Sequence, residues 1–373
     1  MADDGIEGFV AVHAGAGFHS PNKTQLYSEV CQLACKKAAE ALHDKKSALD
    51  AVVMAVTQLE NSACTNAGIG SNLTLDGTVE CDASVMDGAS LKFGAVGAVE
   101  SIKNPVKLAS CLLTEQKKGY LSLGRVPPCF LVGRGAVAWA VEHNIEVVEK
   151  KDLITDSSLR SYRDYQRRLD RAEMGLVEPK KMKKDVKMVE EDDSTLLDTV
   201  GAVCLDCQGN MAAAVSSGGI ALKCPGRVGQ AAVFGCGCWA DNIKDVTPGV
   251  AVSTSGCGEH LIYTQLAREC ALEVRGADDI SQAVTDVFSR QFIESDMLSD
   301  QVAKYGGAIV LKYSSSAAER REVELVWAHT TESMCIGYMK TGEHKPKVHI
   351  SRMPSTSTVG QTTSVMGKYF HLR

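Results

Sequence analysis

The sequence lacks several features that mark common functional classes. Its 40 Lys and Arg residues are outnumbered by 46 Asp and Glu residues, which gives a formal net charge of −6. It therefore lacks the basic excess with which binders of nucleic acid and membrane surfaces neutralise phosphate. No window reaches the ~20 apolar residues needed to cross a bilayer, and no basic segment followed by an apolar core opens the chain. We expect an intracellular protein whose partners are small molecules or proteins, without direct nucleic-acid or membrane contact.

The sequence also lacks a metal-binding framework, although its 14 cysteines are a high number. Most of them lie in apolar runs, which is typical of reduced thiols in a protein core. The closest pairs, Cys204 with Cys207 and Cys236 with Cys238, have no second Cys or His pair at ligand spacing. We predict neither a metal site nor a cofactor.

Apolar patterning predicts an α+β fold. Short apolar strands occur near both ends, as in "GFVAVHAGAG" and "GGAIVLKY", and helical periodicity fills much of the chain between them. This distribution favours helices packed in layers on sheets. The Ser/Thr-rich tail from about Lys340 is expected to be loosely held.

A charged segment interrupts this pattern between about residues 146 and 198. It is rich in Lys, Arg, Glu and Asp and poor in apolar residues, so we interpret it as a linker or insertion. Residues 159–176 could be helical, whereas the part around Pro179 and the acidic run after it should be mobile. Two basic pieces, "RDYQRRLDR" and "KKMKK", are typical of a two-part nuclear import signal, although charged linkers often have this composition.

The linker ends at Asp198-Thr199, where "TVGAVCLDCQGNMAAAVSS" begins a predicted hairpin with its turn at Asp206 to Asn210. A threonine hydroxyl is a poor nucleophile unless a base takes its proton. Cleavage before Thr199 would create an α-amino group, of pKa near ~7.7–8.0, within reach of the same hydroxyl. Taken alone, the junction also fits a turn aspartate followed by a β-forming threonine.

Further motifs recur in order along the chain: "HAGAG", "TNAGIGSNL", "CDASVMDG", "GAVGAV", "LDTVGAV", "GRVGQ", "STSGCGE" and "GGAIVL". Together they resemble the type-2 asparaginases, N-terminal-nucleophile hydrolases that include isoaspartyl peptidases, glycosylasparaginases and threonine aspartases. Within that family, "GRVGQAA", "GCGCWA" and "HTTESMC" resemble the threonine aspartase branch most closely. The resemblance implies a four-layer αββα sandwich in a single domain over residues 1–373.

The resemblance also implies a self-cleaving nucleophile. The Thr of Thr-Val-Gly corresponds to Thr199, and cleavage between Asp198 and Thr199 would leave subunits 1–198 and 199–373. The hydroxyl of the Ser-Gly-Gly segment corresponds to Ser217, which would hydrogen-bond the nucleophile or its amino group. A serine that satisfies a turn is the alternative for that position.

The remaining implied residues concern the substrate. Arg227 would hold a carboxylate, because a guanidinium donates two parallel hydrogen bonds to such a group and stays charged. Gln230 stands where small-substrate asparaginases carry an acid that pairs with the substrate's α-ammonium, so its neutrality favours a polypeptide substrate. Ser255 and Gly256 would supply oxyanion donors, although Gly256 also fits a plain turn.

These inferences predict a threonine-type endopeptidase that processes itself and then cleaves proteins after aspartate. The resemblance further implies substrates among nuclear transcription regulators, a homodimer of processed subunits, and residence in nucleus and cytoplasm. An L-asparaginase or isoaspartyl peptidase acting on small substrates is the alternative on the same scaffold. A non-catalytic scaffold is a third possibility, which the presence of Thr199, Ser217 and Arg227 disfavours.

Overall fold

The computed structural model describes residues 7–175, 199–315 and 321–372. Its helices, in chain order, are α1 (Thr24–His43), α2 (Ala48–Glu60), α3 (Pro105–Lys117), α4 (Gly133–Glu142), α5 (Asp156–Glu173), α6 (Gly258–Thr264), α7 (Leu266–Gly276) and α8 (Ile280–Asp286). Among these described residues, no helix combines the length and the apolarity required to cross a membrane.

The strands, in chain order, are β1 (Phe9–Gly17), β2 (Cys81–Asp87), β3 (Lys92–Val99), β4 (Phe130–Val132), β5 (Val200–Leu205), β6 (Met211–Ser217), β7 (Cys238–Asp241), β8 (Gly249–Gly256), β9 (Gly306–Ser315), β10 (Arg321–His329), β11 (Ser333–Lys340), β12 (Lys347–Arg352) and β13 (Ser364–Leu372). They form an eight-stranded sheet, in the order β12-β11-β1-β5-β6-β2-β3-β4, and a five-stranded sheet, in the order β13-β10-β9-β8-β7.

The two sheets pack face to face with helices on both outer faces. Helices α1 to α4 cover the larger sheet, and α7 and α8 cover the smaller one. A buried apolar cluster that includes Phe9, Val203, Leu311 and Trp327 fills the space between the sheets. This arrangement is the predicted four-layer αββα sandwich, so the predicted fold class is confirmed.

The predicted hairpin is the pair β5 and β6, and α2 lies directly behind it. Asp206 begins its turn: one carboxylate oxygen accepts the backbone N–H groups of Gln208 and Asn210, and the other accepts the N–H of Ala48 at the start of α2. Ser47 caps the same helix by accepting the N–H of Asp50. The turn and the first turn of α2 are therefore fixed to each other, which anchors the closed end of the hairpin.

The tail was predicted to be loosely held, and this is wrong. Strand β12 pairs with β11, and β13 pairs with β10 along its length, from Arg321 opposite Leu372 to His329 opposite Ser364. Each forms the edge of its sheet, where one face meets solvent, so polar composition does not prevent ladder hydrogen bonding.

The linker prediction is tested only in part. Helix α5 covers most of the segment that could be helical but begins three residues before it, and Thr155 forms a capping box with Ser158 at its start. Pro179, the acidic run, the basic piece at residues 180–184 and Asp198 lie outside the described residues. Before the linker, the short strand β4 pairs in parallel with β3 and leads directly into α4.

Gly201 on β5 leaves no room for a side chain between the two sheets. A Cβ built there would lie 2.0 Å from Ser253 Oγ, 2.5 Å from His13 Nε2 and 2.8 Å from Ala214 O. We expect Gly201→Ala to lower the free energy of unfolding by about 1–3 kcal/mol, because backbone and buried polar groups must move apart. Urea denaturation of uncleaved protein measures this change.

The matched control is Gly135→Ala in α4, where an added Cβ meets nothing within 4 Å. Alanine in a helix should leave stability unchanged or raise it by about 0.5–1 kcal/mol. Equal stability of the two variants would contradict the close packing of the sheets at Gly201.

Candidate active site

The open end of the hairpin brings together the two hydroxyl residues predicted at the nucleophile. Val200 lies opposite Ser216, so Thr199 and Ser217 face each other at the next step of the ladder. The Thr199 hydroxyl donates to Ser217 Oγ over 3.0 Å, and Ser217 Oγ also accepts the N–H of Gly219 at 3.0 Å. Both side chains are nearly buried, with exposed fractions of 2% and 4%.

Gln230 also contacts Thr199 directly. Its side-chain amide donates to Thr199 Oγ1 over 3.0 Å, and the residue is buried. The hydroxyl oxygen thus accepts one hydrogen bond from an amide and gives its own proton to Ser217. This contact was not predicted from the sequence, which assigned Gln230 only to the substrate.

Arg227 lies beside the same cavity and is held by an acid that the sequence reasoning missed. Its Nε and Nη2 groups donate to the two carboxylate oxygens of Glu259, at 2.9 Å and 2.7 Å. Burial opposes ionisation of Glu259, but the hydrogen bonds and charge of Arg227 prevail and hold the pKa of that carboxyl below its ordinary value. Glu259 lies within the motif "STSGCGE", so the signal was present in the sequence.

A buried carboxylate fixes the backbone between Arg227 and Gln230. Asp82 is fully buried on β2, and its two oxygens accept the N–H groups of Gly229 and Ala98, each at 2.8 Å. Burial raises the pKa of Asp82, while the charge of Lys223 and these N–H groups lower it. Asp82 also lies opposite Ser217 in the ladder between β2 and β6, so it joins the two halves of the site.

Two asparagines fix the turn that follows Ser217. Asn66 and Asn72 both donate side-chain amide protons to the carbonyl of Gly219, at 2.8 Å and 2.9 Å. Asn66 additionally accepts the N–H of Asn72 on its side chain and that of Gly218 on its carbonyl. The Ser-Gly-Gly turn is therefore held rigidly, as a preorganised site requires.

The two predicted oxyanion residues have different surroundings. Gly256 borders the cavity, with a φ of 137° and a Tyr305 carbonyl 2.5 Å from where a Cβ would be, so only glycine fits there. The hydroxyl oxygen of Ser255 instead accepts the N–H of Ala16 on β1, at 2.8 Å. The geometry thus places the Gly256 backbone at the cavity and ties Ser255 to the neighbouring sheet.

Behind Thr199, His13 links the two sheets. Ser253 donates its hydroxyl proton to the carbonyl of Ala214, so the 2.9 Å contact between His13 Nε2 and Ser253 Oγ requires His13 to be the donor. Burial lowers the pKa of His13 to about 3, so the ring is neutral at physiological pH. Its role here is to position backbone and not to carry charge.

These groups surround a small cavity at Thr199. Its lining consists of Asn66, Thr199, Ser217, Gly219, Ile220, Arg227, Gln230, Gly256 and Gly258. This set contains one cation and no carboxylate. Among the residues that the structure describes, no cluster of three or more His, Cys, Asp or Glu is arranged to hold a metal ion. The cavity can therefore receive an anionic group next to a hydroxyl that a base could activate.

The chain matches known proteins over most of its length. The family model described as asparaginase matches residues 6–349. The isoaspartyl peptidase/L-asparaginase of Rattus norvegicus is 36% identical over 321 residues, covering 86% of this chain and 85% of the relative. The enzyme of the same name from Homo sapiens is 34% identical, covering 86% and 92%. The isoaspartyl peptidase of Escherichia coli K12 is 38% identical over 267 residues, covering 70% and 75%.

The names of these relatives correspond to the small-substrate alternative and not to the endopeptidase. The sequence similarity and the sandwich fold both point to the same family. The chain belongs to the asparaginase family of N-terminal-nucleophile hydrolases, and it is an enzyme of that family.

Proposed function

We propose that the protein is a threonine-type endopeptidase of the threonine aspartase kind, which cleaves its own chain between Asp198 and Thr199 and then cleaves polypeptides after aspartate. The observation that carries this proposal is the lining of the cavity at Thr199, which offers Arg227 for a carboxylate and, among the residues that the structure describes, contains no acid for an ammonium group. Catalysis belongs to Thr199, with Ser217 as its hydrogen-bond partner.

The chemistry follows from the position of the hydroxyl. In the uncleaved chain, Thr199 Oγ1 attacks the carbonyl carbon of Asp198, the peptide nitrogen leaves protonated, and water hydrolyses the resulting ester. The new α-amino group then takes the hydroxyl proton when Oγ1 attacks a substrate carbonyl, and passes it to the leaving amine. Water hydrolyses the acyl ester that remains on Oγ1, which releases the second product as a carboxylic acid and restores the Thr199 hydroxyl. Backbone donors such as the N–H of Gly256 would stabilise the tetrahedral oxyanion.

Arg227 alone does not distinguish the two candidate substrates. In a peptide-bonded aspartate, two carbons separate the side-chain carboxylate from the carbonyl that is attacked. In asparagine and β-aspartyl dipeptides, two carbons likewise separate the α-carboxylate from the attacked carbonyl. The same guanidinium could hold either carboxylate while Thr199 reaches the carbonyl.

The two substrates differ in their nitrogen. Free asparagine and β-aspartyl dipeptides carry an α-ammonium beside the carboxylate, whereas the nitrogen of a peptide-bonded aspartate is an uncharged amide. Two carboxylates near Arg227 already have hydrogen-bond partners, because Asp82 accepts two backbone N–H groups and Glu259 accepts two hydrogen bonds from Arg227 itself. An ammonium would meet the neutral amide of Gln230, which supports the polypeptide substrate.

An isoaspartyl peptidase or L-asparaginase is the second candidate. The names of the relatives favour it, as does the common carboxylate-to-carbonyl spacing. It requires the cavity to bind an ammonium without a carboxylate partner.

We further propose a homodimer of processed subunits that acts on nuclear transcription regulators and resides in nucleus and cytoplasm. Support for import comes from α5, which carries the first basic piece, including Arg163, Arg167, Arg168 and Arg171. The second piece, residues 180–184, lies outside the described residues.

Self-processing predicts a specific pair of fragments. Purified protein should separate into one fragment ending at Asp198 and one beginning at Thr199, and Thr199→Ala should abolish both cleavage and activity because it removes the attacking oxygen. Gel electrophoresis with N-terminal sequencing measures this. Thr114→Ala, on the surface of α3, is the control and should process normally. An intact wild-type chain, or a different N-terminus, would refute the proposal.

Substrate choice predicts an order of rates. Processed enzyme should cleave an Asp-containing peptide and not its Asn or Glu counterparts, because Asn lacks the charge and Glu misplaces the carbonyl by one methylene. Free asparagine and a β-aspartyl dipeptide should be poor substrates. The measurement is kcat/KM for all five; a preference for free asparagine or for the β-aspartyl dipeptide would establish the second candidate instead.

The role of Gln230 predicts a shift in specificity. Gln230→Asp should raise the kcat/KM ratio of free asparagine to the Asp peptide by at least 10-fold, because it adds a partner for the ammonium. Gln282→Asp on the exposed face of α8 adds the same charge far from the site and should leave the ratio unchanged. An unchanged ratio in Gln230→Asp would mean that this position does not determine specificity.

A further inference from the structure

The guanidinium of Arg227 is enclosed by glycines. A Cβ built at Gly258 would lie 2.6 Å from Arg227 Nη2, one at Gly229 would lie 2.7 Å from Nη1, and one at Gly219 would lie 3.1 Å from Nη1. In folded proteins, a Cβ essentially never lies within 3 Å of a non-bonded heavy atom. The present position of the guanidinium therefore depends on side chains being absent around it.

Backbone conformation does not explain two of these three glycines. Gly219 has a φ of +72°, which favours glycine. Gly229 has φ −91° and ψ −177°, an extended conformation open to any residue, and Gly258 is the first residue of α6 and has no positive φ. At position 229, the missing side chain leaves room for the guanidinium and does not serve the backbone. At position 258, it leaves room for the guanidinium and also for Gln230, whose Oε1 would lie 2.9 Å from an added Cβ.

Glu259 determines which edge of the guanidinium remains available. It binds the Nε–Nη2 edge in two hydrogen bonds, so the Nη1–Nη2 end is the edge left for a ligand. Nη1 points to Gly219, which lines the cavity together with Gly258 and Thr199. Without the two hydrogen bonds to Glu259, the long Arg227 side chain would sample several rotamers, and Nη1 would not stay directed at the cavity.

We propose that Glu259, Gly229 and Gly258 form a holder that presents the Nη1–Nη2 end of Arg227 to the substrate carboxylate and so determine specificity. The proposal rests on the proposed function, in which Arg227 binds that carboxylate. Glu259 acts as a positioning residue: it does not touch the substrate, and it fixes the angle from which the carboxylate must approach Thr199. A carboxylate bound end-on is directed along the cavity, whereas one on the Nε edge would displace Glu259.

The first test replaces the acid. In fully processed protein, Glu259→Gln should raise KM for the Asp peptide roughly 10-fold, because a neutral amide accepts only one of the two N–H groups. The kcat should change little, since Thr199 and Ser217 are untouched. The control is Glu269→Gln on α7, which loses a comparable pair with Arg268 (3.0 Å) away from the cavity and should behave as wild type.

The second test adds a side chain at a glycine beside the guanidinium. Gly229→Ala keeps an allowed backbone but forces Nη1 away, and it should lower kcat/KM for the Asp peptide roughly 10- to 100-fold. The displaced atom is the end of a flexible side chain, so the thermal unfolding midpoint should stay unchanged. Gly276→Ala, at the end of α7, has an ordinary φ and nothing within 4 Å of the added Cβ, and it should have no effect.

Arg227→Ala separates failure of this proposal from failure of the proposed function. If Arg227→Ala retains wild-type KM and kcat, the carboxylate role of Arg227 is wrong and the holder fails with it. If Arg227→Ala loses activity while Glu259→Gln and Gly229→Ala match wild type, the holder alone is overturned. A lower KM in Glu259→Gln would also overturn it, because Glu259 would then compete with the substrate.

Discussion

The hydrogen bond between Thr199 and Ser217 depends on the register of a single hairpin. A shift of one residue between β5 and β6 would turn one of the two hydroxyls to the opposite face of the sheet. Several independent contacts oppose such a shift. Asp206 ties the closed end to α2, Asn66 and Asn72 hold the turn at the open end, and Gly201 allows the second sheet to approach from behind.

The surrounding charges follow from burial. Lys223 is almost fully buried and donates to the carbonyl of Glu80, and Arg227 retains only 15% side-chain exposure. Charges in such positions are costly unless they are paired and hydrogen-bonded. Asp82 and Glu259 supply the compensation, and both do so through directional bonds that also fix the backbone or the guanidinium. The same contacts therefore compensate the buried charges and determine the shape of the site.

The sequence allowed prediction of the elements whose signals are local. The hairpin follows from two apolar runs around Asp206 to Asn210, and the layered fold follows from strands at both ends of the chain. Contacts between distant segments left no comparable signal. The bond from Gln230 to Thr199 and the pairing of Glu259 with Arg227 depend on how loops meet in space, and a motif shows only that the residues are present.

The tail shows the same limitation. Edge strands need backbone partners more than an apolar pattern, so the polar composition of β12 and β13 concealed their pairing. Ser255 is a further case, because its contact with Ala16 depends on the way in which one sheet crosses the other.

The strand order of the larger sheet has a consequence for a chain cut before Thr199. Strand β1 lies between β11 and β5, and β2 lies against β6, so segments from both sides of the cut alternate within one sheet. Separating the two products would break the ladders of β1 with β11, β1 with β5, and β2 with β6, and would expose the apolar layer between the sheets. The cut would thus remove a covalent connection without creating independent bodies: the two polypeptides would remain interleaved and would unfold together.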